Sequence, residues 1–220
     1  MVDYTISFQG DSLIIKSDCI ECGSIAVNIP DDEPLKSLFI SLFLHKADIE
    51  EALDYLFCIS SDKDFKINKA LFTSALINTI KCFQSSEACK QLSENRFSKL
   101  YPAEGSLLSD YKNWRNKHFI HDENHMREAI AFLLVAPEDS HSTLGGPASV
   151  VWNSAPINYV LEGRSLEILL QAMRKFVCVE IDQIGDRIVQ KYSNLDRKIL
   201  LSYGLAKCKS ASIADSGIPR

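Results

Sequence analysis

No stretch of this 220-residue chain comes near the roughly 18–20 consecutive apolar residues that a helical membrane span requires. The opening Met1-Val-Asp-Tyr-Thr has no basic segment leading into an apolar run, so no secretory leader is expected and a cytoplasmic location is predicted. Basic charge is also scarce. Lys and Arg number 24 against 29 Asp and Glu, a net charge of −5, and an acidic balance opposes long-range attraction to nucleic acid. Any RNA contact must therefore be local. The single Gly-Gly pair, Gly145-Gly146, lacks phosphate-loop spacing and precedes no suitable Lys-Ser/Thr, so nucleoside triphosphate binding finds no support. The cysteines are seven, an odd number scattered among apolar residues, as reduced thiols are. Only Cys19 and Cys22 are closely spaced, and without a second such pair they make half a zinc site at most.

What is there is the composition of a globular domain, with 46% apolar and 24% charged residues. The first thirty residues alternate with a period of two (Tyr4, Ile6, Phe8; then Leu13 to Lys16; then Ile25, Val27, Ile29), predicting two or three short antiparallel strands. Pro34 then opens a helix from Leu35 to about Ser60. Ser60-Ser61-Asp62 is a turn and cap signal before a second helix, from Phe65 to about Gln84. A shorter helix is expected from Glu87 to Leu92, then a polar connection through Ser93–Arg96, a loop at Tyr101–Ser106, and a helix capped by Ser106 or Ser109. That helix is predicted to run on until Ala136-Pro137 stops it. From 138 to 156 the pattern breaks into a loop or short strand around Val150-Val151. A long helix is expected over Ser165–Tyr192 and a short one over Asp196–Ala206. The fold class is thus mainly α: a helical bundle with a small N-terminal antiparallel β element and a short irregular or β insertion near 140–156. The expected organisation is a β element at 1–30 packed on a helical domain at 31–208, followed by a tail at 209–220.

The chemistry concentrates in one stretch. Arg115, Asn116 and Lys117 are followed by His118, His121, Asp122 and His125. On a continuous helix, with Arg115 at zero, Asp122 falls at about −20°, His118 at about −60°, His125 at about −80° and His121 at about −120°. A guanidinium, a carboxylate and three imidazoles then line one edge of the core stripe. Arg offers a planar donor fork that matches a phosphate, and His exchanges protons near neutral pH. With no acidic cluster for magnesium, that set suits metal-independent cleavage of RNA, the 2′-hydroxyl serving as nucleophile. Tyr111 and Trp114 fall on the histidine side, at about −40° and −100°. They are expected to pack against a neighbouring helix, base stacking being the less ordinary use. His45 and His141 are expected to be structural or surface histidines.

Arg115-Asn116-Lys117-His118-Phe119-Ile120-His121 resembles the signature of HEPN domains, in the branch that reads Arg-Asn-Lys, two residues, Ala, His, then Asp. Ile120 stands in the place of that Ala, and His118 is an addition. The resemblance covers about a dozen residues. It implies a helical bundle, a homodimer whose facing Arg and His residues form a composite ribonuclease site, and toxin–antitoxin or phage-defence roles with an antitoxin protein as partner. It also implies that some members keep the scaffold without cleavage.

Three readings follow. In the first, Arg115 holds the scissile phosphate and His121 does acid/base work, while Asn116, Lys117, His118, Asp122 and His125 are auxiliary. Arg115 and His121, about 120° apart on a regular helix, then need two chains or a local distortion to meet on one phosphate. In the second, Arg115, Asn116 and Asp122 form a structural network in a non-catalytic scaffold or a module that binds RNA or protein. In the third, His121 and His125, at i and i+4, share a zinc with His118 nearby. Glu123 stands one position late for the metalloprotease pattern and a third ligand is missing, so neither cofactor nor metal is expected.

Overall fold

A computed structural model of the chain describes residues 5–9, 12–16, 27–84, 86, 89–116, 127–135, 144–153, 157–204 and 206. The described residues are mainly helical: α1 (Lys36–Phe57), α2 (Phe65–Lys81), α3 (Glu94–Leu100), α4 (Pro102–Trp114), α5 (Tyr159–Tyr192) and α6 (Arg197–Ser202). None of these helices is long and apolar enough to cross a membrane. The backbone of Thr5–Gln9 (β1) pairs antiparallel with Ser12–Lys16 (β2). The seating of this ladder on the helices, the connection holding Cys19 and Cys22, and the tail at 209–220 lie outside the described residues.

By backbone contacts the chain divides into two compact units. One comprises Met1–Lys46, Gln84–Leu92 and Phe176–Arg220, the other Ala47–Phe83 and Ser93–Lys175, and α1 and α5 each give one end to either. In the first unit Asn28 N donates to Gly204 O at 2.9 Å. Gly204 itself has φ +79°, a conformation that costs glycine nothing and an L side chain about 1–2 kcal/mol. Glu33 is buried just before α1. Its Oε2 accepts from Lys191 Nζ at 2.6 Å and from the Tyr192 hydroxyl at 2.7 Å, and its Oε1 from Leu35 N at 3.2 Å. A buried carboxylate is tolerated only with such partners.

In the second unit, Phe72 of α2 has no exposed surface. Around it stand the rings of Trp114, Tyr159 and Tyr111, with centroids at 5.3, 5.6 and 6.3 Å. Asp64 caps α2 by accepting from Lys66 N at 2.7 Å. The amide of Asn68 closes the preceding loop on both sides of Ser60, accepting from its N at 3.3 Å and donating to its O at 2.8 Å. Helices α3 and α4 meet at Tyr101, with Pro102 in the first turn of α4. They approach so closely that a Cβ on Gly105 would lie 2.6 Å from Ser98 Oγ, a contact only glycine avoids.

Several expected elements fall elsewhere. The helix predicted to continue to 136 runs as α4 up to Trp114 and is π-helical at Arg115 and Asn116, and it does not reach 136. Arg127–Val135 (β3) is instead a strand, paired antiparallel with Leu144–Asn153 (β4) from Arg127↔Asn153 to Val135↔Leu144, with an irregularity between Leu134 and Val135. The reason is visible in the chain: an unbroken apolar run as short as Ala129–Val135 serves a strand as well as a helix, and periodicity cannot separate the two. The breaking pattern after 138 thus carries a ten-residue strand that includes Gly145, Gly146 and Pro147. Helix α4 begins at Pro102 without a side-chain cap, so Ser106 and Ser109 do not cap it; proline's fixed φ makes it a good first residue.

The short helix expected at Glu87–Leu92 is also displaced. Residues 89–93 are not helical, and the polar connection is the helix: Ser93 accepts from Arg96 N at 3.3 Å and opens α3. A Ser cap followed by Glu94 in the first turn favours a helix start, polar as it is. Helix α5 begins six residues before Ser165. Asn158 accepts there from Val160 N at 3.2 Å and Leu161 N at 3.3 Å. Helix α6 is capped by Asp196 and ends at Ser202 rather than Ala206.

Candidate functional site

Two of the seven residues singled out from the sequence are placed. Arg115 ends α4 as its C-cap, its N–H bonded to the carbonyls of Lys112 and Tyr111, and Asn116 follows. Arg115 is half-buried and Asn116 exposed. Arg115 Nε donates to Asn116 Oδ1 at 3.2 Å. Lys117, His118, His121, Asp122 and His125 lie outside the described residues, as does His141. The angular placement worked out for a continuous helix can be followed only as far as Asn116, the last described residue before Arg127.

The turn is held by what precedes it. Tyr111 and Trp114 stack with centroids 5.9 Å apart and planes inclined by 24°, and both rings pack on Phe72. Their position on that side of α4 is used for packing, as helical spacing predicts. The Tyr111 hydroxyl donates to the carbonyl of Glu162 at 3.2 Å, tying the last turns of α4 to the first turn of α5. Burial first, and then the Glu162 charge, push the Tyr111 hydroxyl well above the ordinary phenol range, so it stays protonated and remains a donor. Lys112, on the outer side, pairs with Glu94 of α3. The C-terminal end of a helix carries partial negative charge, which favours Arg115 and disfavours an anion. A phosphate at this turn must be held by the guanidinium and by residues beyond it, against that field.

His45 is a structural histidine, more deeply buried than its sequence context indicates, at 2% exposure. Its Nε2 lies 2.8 Å from the carbonyl of Lys90. A carbonyl only accepts, so this nitrogen carries the hydrogen. Cys89 Sγ, 3.5 Å from the same nitrogen, therefore faces a donor and not a base, and the pair is not a nucleophile–base dyad. The histidines of the zinc reading, His118, His121 and His125, lie outside the described residues. Within each unit taken by itself, the described residues bring no three metal-capable side chains together.

Two groups escaped the sequence reading. Tyr159 and Glu162, which brace the Arg115 turn, fall before the expected start of α5; Asn158, a good cap residue two positions ahead of Val160, was the available signal. Glu33, Lys191 and Tyr192 are some 158 residues apart in the chain, and no local pattern joins them. Comparison with protein-family models, with curated proteins and with solved structures finds no match.

Proposed function

We propose that this chain is a HEPN-like helical-bundle protein that cleaves RNA without a metal, with Arg115 and His121 as the working pair and a second copy of the chain completing the site. The observation that supports the reading best is the turn itself. Arg115 and Asn116 leave the end of α4 on a base fixed by Tyr111, Trp114 and Phe72, and the run of imidazoles follows within ten residues. Fixing the cation matters because misplacing a reacting group by about 1 Å costs on the order of 10²-fold in rate. In the reaction, the 2′-oxygen attacks phosphorus as its proton passes to a base. The 5′-oxygen then leaves with a proton from an acid, and a 2′,3′-cyclic phosphate remains. His121 serves in that exchange. Arg115 neutralises the charge gathering on the phosphoryl oxygens, and Asn116, Lys117, His118, Asp122 and His125 assist. A toxin or defence role, opposed by an antitoxin protein, accords with such an activity.

A second reading has its own observation. Arg115 is half-buried and its Nε is turned onto Asn116, at the helix end where a cation is favoured without any ligand. In that reading the pair is structural and the chain is a non-catalytic scaffold or binding module.

The experiment is to incubate labelled RNA with purified protein in chelator. On the ribonuclease reading, cleavage yields cyclic phosphate ends, and His121→Ala lowers the rate by about 10²–10⁴-fold. Arg115→Ala abolishes cleavage while the melting temperature holds. Intact RNA at high protein concentration, together with a lowered melting temperature for Arg115→Ala, establishes the scaffold instead. Expression that arrests growth, relieved by His121→Ala, supports the toxin role.

A further inference from the structure

We draw no further inference here: the strongest candidate, the open groove of about 440 Å³ between the start of α4 and the middle of α5, sets Glu104 and Glu167 beside Arg164 and Lys175 over Ile168 and Ala172, and with charges of both signs in equal number nothing in the structure shows what covers it.

Discussion

Two regions of this molecule fasten their helices by opposite means. Around Phe72 the aromatic rings of α2, α4 and α5 close on one another, and the Tyr111 hydroxyl adds a polar tie to Glu162, to its backbone carbonyl and more distantly to its carboxylate. At Glu33 one buried carboxylate gathers an ammonium, a phenol and a backbone N–H. The first fastening depends on shape and on area removed from water, the second on charge kept in register. They should therefore fail under different stresses. Loss of volume breaks the aromatic region, and acid breaks the carboxylate corner. It is the aromatic region that carries Arg115, so the candidate turn rests on the fastening that pH does not touch.

The largest effect is expected at Phe72. Replacing a fully buried phenylalanine by alanine removes its transfer energy and leaves a cavity among Tyr111, Trp114 and Tyr159, at a cost of about 3–5 kcal/mol. Denaturant unfolding measures it. A loss under about 1 kcal/mol, small against the usual range for such truncations, would mean that the rings close over the gap and that shape is not what holds this end.

Next comes the acid response of Glu33. Its carboxyl is lowered from 4.5 to about 2, first by the hydrogen bond from Lys191 and then by that from Tyr192. The same contact pushes the Tyr192 hydroxyl up to about 12. A depressed carboxyl stabilises the fold fully above its unfolded value and loses that contribution as pH falls through the folded one. Glu33→Gln is therefore expected to melt below the parent protein at pH 7, with the gap closing between about pH 4.5 and 2. Asp31, Glu51 and Asp62 are also lowered, so both proteins lose stability in acid and only the difference between them reports Glu33. An equal gap at pH 2 and pH 7 would show that packing, not charge, fastens this corner. A third and smaller effect separates the polar from the apolar part of the aromatic region. Tyr111→Phe keeps the ring and removes one buried hydrogen bond, worth about 0.5–1.5 kcal/mol, with no change in its pH profile below pH 9.

How much of this was readable from the chain depends on the range of the signal. Helices α1 and α2 follow from apolar spacing and from Pro34 and the turn before Phe65, all local features. The packing role of Trp114 was legible too, because its angle from Arg115 on α4 is set within one turn. The end of α4 was not. Trp114 to Val135 offers a polar run followed by an apolar one, and a strand needs a partner that the local sequence cannot supply; here the partner is Leu144–Asn153. The candidate site straddles that boundary: Arg115 and Asn116 close the described part of α4, and the histidines that follow lie outside the described residues. Glu33 was illegible for a related reason, since its partners lie at the far end of α5. Side chains that meet through tertiary structure leave no periodic trace.

The smallest expected effect compares one residue type in two settings. Phe57, at the end of α1, is 91% exposed, whereas Phe72 is not exposed at all. Both are phenylalanines on helices of the same unit, and composition alone treats them alike. Phe57→Ser removes a ring that water already covers, so stability should move by no more than about 0.5 kcal/mol, as surface substitutions do. It should also lower any tendency to associate, because an exposed ring is a place where a second surface loses water. A concentration-dependent melting temperature in the parent that disappears in Phe57→Ser would identify the ring as part of a contact between molecules. A large loss of stability at high dilution would instead show that the ring is covered in solution, and that the contrast with Phe72 is one of degree.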